Sequence, residues 1–247
     1  MNKVNQTTNG LKKSGKTMLK TLYQKFFVAL LPLAALTLVA CDQQTPNTEP
    51  SAEPMPAQDM SFFITSEGPG NGGDLGGLEG ADSHCQNLAE AAGAGGKNWA
   101  AYLGTEPEGA RGIDARSRIG NGPWHNAAGE MIAKDIDDLH LNANIVRGTA
   151  LDENGNRVLG RGDSTNRHDI LTGAMEDGTA FFPDAEDHTC SNWTSNNEGS
   201  ARVGHPDRIS FSTPGAPWNS SHGTPGCTQA NLVSVGGAGL FYCFAAE

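Results

Sequence analysis

The chain has 247 residues, of which 17 are basic and 28 are acidic, giving a net charge of −11. All 28 acidic residues follow position 40 while six lysines precede it, so 11 basic residues face 28 acidic ones beyond that point, a net charge of −17. A surface this acidic repels nucleic acid, heparin-like polyanions and anionic lipid head groups, whereas neutral glycans, cations and basic partners stay compatible with it.

The first 40 residues have the order of a bacterial secretory signal. Six lysines precede an apolar run over residues 26–40, which is shorter than the roughly 20 residues of a membrane-spanning helix. The run ends in Leu38-Val39-Ala40-Cys41, which resembles a lipobox. We therefore predict a signal peptide over residues 1–40, starting at Met1 or at Met18, and a lipid anchor on Cys41. A plain signal peptide and an uncleaved anchor are the alternatives.

Residues 41–59 follow as a spacer rich in Pro, Gln, Thr and Glu, with almost nothing to bury. This composition predicts a lipidated cysteine followed by a disordered tether. The folded domain is then expected over residues 60–247, which is long enough for one core. The anchor would place it outside the cytoplasm, at the outer membrane or at the periplasmic face of the inner membrane.

Four cysteines remain once Cys41 is set aside, namely Cys85, Cys190, Cys227 and Cys243. An even number in an oxidising compartment favours two disulfides. Four cysteines permit three pairings, and their spacing does not choose among them. A zinc site is the rival interpretation, which the lack of any CxxC spacing disfavours.

Glycine and the apolar pattern predict the elements that follow. Residues 68–80 are a glycine-rich loop without the order of a phosphate-binding motif. Apolar positions at helical spacing predict a helix over residues 82–92, capped by Asp82 or Ser83 and ended by Gly93. Frequent glycine and few helical stretches indicate a loop-rich domain, either α+β or mostly β.

Strand and turn signals occupy the rest of the chain. Residues 98–103 read as a buried strand and residues 133–139 as a short helix or turn. Asn154-Gly155 predicts a type I′ hairpin within residues 150–158. The apolar run over residues 239–245 predicts a strand that carries the last cysteine.

Several segments taken together resemble a known domain. The order "GADSHCQNLAEAAG", "WAAYL", "TCSNWTS" and "GCTQANLVSVGGAGLFYCF" resembles endostatin, the C-terminal domain of collagens XV and XVIII, which has a C-type-lectin-like fold. The motifs "RSRIGNGPW", "HDILTG", "DGTAF", "VGHPDR", "WNSSH" and "GLFYCFA" resemble bacterial lectin-like lipoprotein domains over residues 61–247. The resemblance implies an α+β domain with a mixed, mostly antiparallel sheet and one or two helices. It also implies the pairs Cys85–Cys243 and Cys190–Cys227.

The resemblance implies a binding function for glycans or for envelope and matrix components, carried by long loops. Aromatic faces and amides of the segment between Cys190 and Cys227 suit a sugar ligand. The candidate residues are Asn196, Asn197, Glu198, His205, Asp207, Arg208, Trp218, Asn219 and His222. A structural envelope protein without a small ligand is the alternative. A hydrolase is less favoured because GxSxG, HExxH and paired carboxylates are missing from the sequence, and no catalytic residue is assigned.

Three of these candidates have a second interpretation. His205, Asp207 and His222 carry imidazole and carboxylate groups suited to a divalent metal or to acid-base chemistry. Hydrogen bonds that support the glycine-rich loops are the alternative. Endostatin's zinc ligands have no recognisable counterparts in this sequence, and the EPN, QPD and WND motifs of calcium-dependent lectins are absent. Trp193 is expected in the core, and Trp218 either in the core or at a ligand.

Two further motifs are weighed against simpler explanations. Asp152, Asn154 and Asn156 alternate like the start of a calcium loop, so calcium is a secondary expectation, although a hairpin turn explains the same residues. Arg161-Gly162-Asp163 is the integrin-binding tripeptide, but in a glycine-rich bacterial loop integrin binding is not expected.

Overall fold

The computed structural model describes residues 59–207 and 217–246, which all belong to one compact unit. The predicted signal peptide, Cys41, the tether up to residue 58 and Arg208 lie outside the described residues. Within the two described ranges, no helix combines the length and the apolar character needed to cross a membrane.

A mixed, mostly antiparallel sheet forms the centre of the domain, in the order β1–β8–β5–β6–β7, with β2 also paired to β8. The C-terminal half of β8 lies between β1 and β2, antiparallel to both, and its N-terminal half runs parallel to β5. A separate hairpin consists of β3 and β4. The strands are β1 (Phe62–Ile64), β2 (Trp99–Ala101), β3 (Trp124–His125), β4 (Met131–Ala133), β5 (Asp169–Leu171), β6 (Arg202–Gly204), β7 (His222–Gly223) and β8 (Gly237–Ala245).

Four helices accompany the sheet in the described residues, where the sequence predicted one or two. The shortest, α3, is a single turn in which all four residues have positive φ. The last helix, α4, was missed although Thr228 caps it by accepting the Asn231 amide hydrogen. The helices are α1 (Gly77–Ala91), α2 (Ile136–Asn142), α3 (Cys190–Trp193) and α4 (Gln229–Val235), and Ala115–Ser117 forms a 3₁₀ turn.

Helix α1 begins five residues earlier than predicted, because part of the glycine-rich segment is helical. Leu78 packs against the same apolar cluster as Ala81 and Cys85, one helical turn earlier in the chain. The glycines on either side of Leu78 obscured this helical spacing in the sequence. The predicted cap Asp82 is therefore inside the helix, where its carboxylate accepts the Ala101 amide hydrogen at 2.8 Å and pairs with Arg118 at 2.6 Å. Asp82 thus joins α1 to the start of the sheet.

The predicted hairpin is present, but its turn type was wrong. Leu151 and Arg157 form an antiparallel bridge, and the Gly155 amide donates to the Asp152 carbonyl. Gly155 has φ 79, while Asn154 does not have positive φ. A type I′ turn needs positive φ at both central residues, so this is a type I turn closed by a left-handed glycine.

The sheet separates two apolar layers because side chains alternate along each strand. On one face, Phe241 and Cys243 of β8 pack with α1, and on the other face Tyr242 and Phe244 pack with Tyr102, Trp124 and Trp218. The disulfides are Cys85–Cys243 and Cys190–Cys227, the pairs that the resemblance implied. The protein is thus an α+β domain with two disulfides, and such bonds indicate an oxidising compartment.

Candidate metal centre

Histidines from three neighbouring strands meet at one end of the sheet. Asp169 is the first residue of β5 and follows His168, while His205 follows the last residue of β6 and His222 opens β7. The antiparallel pairing of β5 with β6 and of β6 with β7 brings these residues together. We call His168, Asp169, His205 and His222 the histidine cluster.

Gly204 permits the close packing of this region. A Cβ atom at Gly204 would lie 1.8 Å from the carbonyl oxygen of Trp218, far inside contact distance. Only a residue without a side chain therefore lets the segment that leads into β7 lie against β6. His205 comes next in the chain, so the same close packing lies beside the histidine cluster.

All three imidazoles direct Nε2 toward one carboxylate oxygen. The Oδ1 atom of Asp169 lies 2.9 Å from Nε2 of His205 and 3.3 Å from Nε2 of His168. Nε2 of His222 lies 3.6 Å from the same oxygen and 3.1 Å from Nε2 of His205. The rings of His168 and His205 are stacked, with centroids 4.1 Å apart.

The opposite ring nitrogens contact fixed groups outside the cluster. Nδ1–H of His168 donates to the Asp207 carboxylate at 3.0 Å, and Nδ1–H of His222 donates to the Gly223 carbonyl at 3.1 Å. The Nδ1 atom of His205 lies 3.3 Å from the Ser221 hydroxyl. Such outer contacts fix the tautomer and orientation of histidines that bind metal ions.

These contacts leave an Nε2 lone pair on His168 and on His222, and the one on His222 lies 3.1 Å from Nε2 of His205. A carbonyl only accepts hydrogen bonds, so Nδ1 of His222 carries the proton, and Asp207 imposes the same tautomer on His168. In a neutral imidazole the other nitrogen is then an acceptor. The Nε2 lone pairs of His168 and His222 consequently point into the cluster, where a bound cation would accept both of them.

Asp169 is almost completely buried, with its side chain 1% exposed. Neither of its carboxylate oxygens has a hydrogen bond of acceptable geometry within the described residues. A buried carboxylate costs several kcal/mol unless it is paired or bound to a metal. The histidines are near enough to pair with it, but their orientation suits a shared central ion better than direct hydrogen bonds.

Asp207 remains ionised beside the cluster. Burial acts to raise its pKa, but the hydrogen bonds from His168 and from the Arg161 amide outweigh burial and lower the pKa to about 2. The carboxylate of Asp207 therefore accepts from His168 and strengthens Nε2 of that histidine as a donor of electrons to a metal.

The spacing of the ligand atoms fits a four-coordinate ion. Ligands placed tetrahedrally at about 2.0–2.2 Å from zinc lie about 3.3–3.6 Å from one another. The three Nε2–Oδ1 separations and the separation of Nε2 between His205 and His222 run from 2.9 to 3.6 Å. Ligand atoms of His168, Asp169 and His205 all lie within 4.8 Å of one another, so these three residues would form the centre of the site and His222 would complete it as a fourth ligand.

The structure places the residues predicted to bind ligands in different parts of the domain. His205 and His222 belong to the cluster, and Asp207 supports it. Trp218 lies in the core, one of its two expected locations, and Asn219 is buried beside it, since they are 3% and 1% exposed. Trp218 packs on Tyr102 and Tyr242, and the Asn219 amide donates to the Tyr102 hydroxyl and to two backbone carbonyls. Trp193 is buried in the core, as expected.

The remaining candidates lie in the exposed segment after α3. Asn196 donates to the Asn71 side chain at 2.6 Å, and the carbonyl of Asn197 accepts from the Cys227 amide. The carbonyl of Glu198 accepts from the Ser195 hydroxyl. These contacts tie the segment to the glycine-rich loop and the inner disulfide, and none of them reaches the histidine cluster.

The weak calcium candidates hold a turn. One oxygen of Asp152 accepts the amide hydrogens of Asn154 and Asn156 at 2.9 and 2.8 Å, and the other accepts from the Asn156 side chain. The hairpin therefore accounts for all three residues. In the integrin-like tripeptide, the Asp163 carboxylate pairs with Arg147 and Arg157, both at 2.7 Å, and is engaged within the domain.

Sequence reasoning missed His168 and Asp169. The available signal was the pair of polar residues that open the apolar strand "HDIL", since a titratable pair at the start of a buried strand needs a partner. A scan of the chain against protein-family models found no match, and a search of curated proteins also found none.

Proposed function

We propose that this protein is an extracytoplasmic binding domain whose sheet edge is organised by a transition-metal ion of the zinc class, held by the histidine cluster. The observation that carries the proposal is the convergence of three Nε2 atoms on one buried, unsatisfied carboxylate oxygen. The Nε2 lone pairs of His168 and His222 point toward that oxygen, and a bound cation would suit this arrangement better than a further hydrogen-bond acceptor.

The ligand set selects among metals. Imidazole nitrogen suits zinc, copper, iron and nickel, whereas calcium takes six to eight oxygen ligands. Three imidazoles and one carboxylate give four protein ligands, the number found in structural zinc sites, which leave no open position for a substrate. The set therefore favours a structural ion over a hydrolytic one.

Such an ion would join three strands. His168 and Asp169 open β5, His205 follows β6, and His222 opens β7 at the edge of the sheet. At this edge of the sheet β7 pairs with β6 through only two residues. Metal binding would thus stabilise the edge of the sheet.

We also propose a fold family, a ligand class and a membrane anchor for this domain. The endostatin-like sequence motifs, together with the α+β architecture and the two disulfides, support a C-type-lectin-like domain that binds glycans or envelope components. A lipid anchor on Cys41 would display it from a bacterial membrane. A structural envelope protein without a small ligand is the second candidate, which the four-ligand metal set also suits.

Metal analysis tests the proposal directly. The purified full-length protein is loaded with Zn²⁺, freed of excess metal by gel filtration and assayed for metal per chain. We expect one zinc ion per chain, little bound calcium, and intense visible bands of tetrahedral geometry with Co²⁺. His205→Gln should lose the metal, because it removes one ligand.

His125→Gln is the matched control, since His125 lies in the β3–β4 hairpin outside the cluster. It removes an imidazole and should keep full metal content. Zinc well below one ion per chain, or equal zinc in the two variants, would refute the metal centre. A broad glycan array probed with and without EDTA tests the binding function separately, and no hits under either condition would refute it.

A further inference from the structure

A second cluster of polar and aromatic groups lines a cavity of about 380 Å³ on another part of the surface. Its lining residues are Met175, Glu176, Asp177, Phe181, Arg202 and Ser220. None of them belongs to the histidine cluster. The cavity therefore needs its own explanation.

Arg202 is the unusual member of this set. Five other arginines pair with carboxylates, namely Arg111, Arg116, Arg118, Arg147 and Arg157. Arg202 is half-buried, and it has no carboxylate within salt-bridge distance in the described residues. Burial lowers the pKa of Arg202, while the negative charges of Glu176 and Glu186, which lie beyond salt-bridge distance, act in the opposite direction.

The guanidinium is held in place on one side only. Its Nε–H donates to the Ser220 hydroxyl at 3.0 Å, and its central carbon lies 5.8 Å from the centroid of the Phe181 ring. The two terminal NH₂ groups have no acceptor among the described residues. They are thus available to form two parallel hydrogen bonds with a carboxylate.

The walls of the cavity are fixed before any ligand arrives. Phe181 stacks on His188 with a centroid distance of 3.8 Å, and Nδ1–H of His188 donates to Glu106 at 2.9 Å. On the other wall, the carbonyls of Met175 and Glu176 accept from the Asn219 side chain. A rigid site loses little free energy to ordering on binding.

We infer that this cavity binds the carboxylate of an acidic sugar, a hexuronate, through Arg202. Two parts of the cavity select this class. Glu176 and Asp177 suit the hydroxyl donors of a sugar, while Phe181 and Met175 supply an apolar face for sugar CH groups. A hexuronate combines one carboxylate for Arg202, several hydroxyls for the two acidic side chains and a CH face for the apolar wall.

The inference rests on the glycan-binding part of the proposed function and not on the metal ion. Because metal content is measured independently, a protein that binds zinc but no uronate would overturn this inference alone. Conversely, if the protein bound uronate but no zinc, the uronate inference would be supported and the metal centre would be refuted.

Calorimetric titration of the full-length protein with glucuronate provides the test, with glucose and N-acetylglutamate as comparison ligands. We expect saturable binding of glucuronate that weakens as salt rises, and at least tenfold weaker binding of both comparison ligands. Arg202→Gln should weaken glucuronate binding at least about tenfold, because charge-assisted bidentate bonds are lost. Arg202→Lys keeps the charge without the planar fork and should also lose most of the binding.

Arg161→Gln is the control, since Arg161 is exposed and its removal changes net charge by the same amount. It should bind glucuronate as the unsubstituted protein does. Near-UV circular dichroism establishes that each variant is folded, and Phe181→Leu provides a variant that leaves Arg202 intact and should still weaken binding. Equal binding by Arg202→Gln would overturn the inference. So would binding of N-acetylglutamate as tight as that of glucuronate, which would indicate a peptide carboxylate.

Discussion

Replacing Asp169 with asparagine should change stability in opposite directions with and without metal. In the metal-free protein, the carboxylate of Asp169 is buried, and neither oxygen accepts a hydrogen bond from the residues that the structure describes. An unsatisfied buried group of this kind costs about 1–3 kcal/mol or more. The asparagine side chain keeps the shape, carries no charge and can donate to the bare Nε2 of His168. Metal-free Asp169→Asn is therefore expected to be more stable than the unsubstituted protein by about 1–3 kcal/mol.

Zinc should reverse this order. A ligand at 100 times its dissociation constant stabilises the native state by about 2.7 kcal/mol. A domain of this size shifts its Tm by about 2–4 °C per kcal/mol, so the unsubstituted protein should gain about 5–11 °C. Asp169→Asn lacks one of the four ligands and should gain much less. The measurement is thermal unfolding followed by circular dichroism at neutral pH, first in EDTA and then with excess Zn²⁺.

Asp137→Asn is the control for loss of a carboxylate. The Asp137 side chain is 82% exposed and pairs weakly with Arg116, so both Tm values should stay close to those of the unsubstituted protein. If Asp169 were instead the partner of protonated histidines, Asp169→Asn would destabilise the metal-free protein by about 3–5 kcal/mol. That result, or an equal zinc response in both proteins, would refute the metal centre.

Two further predictions concern groups that the cluster does not contain. The pKa of His140 is lowered by burial, and Nε2 of His140 accepts from the Tyr102 hydroxyl while Nδ1–H donates to the Ile136 carbonyl. Its stabilising contribution is thus present above the unfolded-state pKa of about 6.5 and is lost as pH falls below it. His140→Gln should flatten the fall in unfolding free energy below that pH in urea titrations, whereas an unchanged slope would contradict the reasoning. Gly204→Ala should destabilise by at least about 1–3 kcal/mol and weaken zinc binding, because its Cβ meets the Trp218 backbone. Gly148→Ala, which meets nothing within 4 Å, should do neither, and similar urea midpoints for the two variants would count against the packing argument.

The sequence predicted the elements whose signal is local. Apolar spacing located α1, and the apolar run ending on Cys243 located β8, although glycines hid the first turn of the helix. The hairpin at Asn154-Gly155 was placed correctly, but the turn type depends on the φ of a single residue. Local patterns thus indicate where an element lies better than how it begins or turns.

The candidate site was predicted only in part, because it depends on pairing between distant strands. His205 and His222 stood out within one disulfide-framed segment, whereas His168 and Asp169 lie more than 30 positions earlier and meet them only through the order β5–β6–β7. Trp218 and Asn219 have the chemistry of a sugar site but are used inside the core. Composition cannot tell which face of a strand or loop a side chain occupies.

The bond between Cys85 and Cys243 also determines how the domain would respond to a mechanical load. A pull on the chain at Met60 first reaches β1, which runs antiparallel to β8. If β1 detached, only the residues up to Cys85 could be drawn out, because the following 158 positions are closed into a covalent loop. The force would then pass through sulfur into β8, the strand on which the sheet is built. A domain held from its N-terminal side would therefore release a short length of chain and then resist further extension.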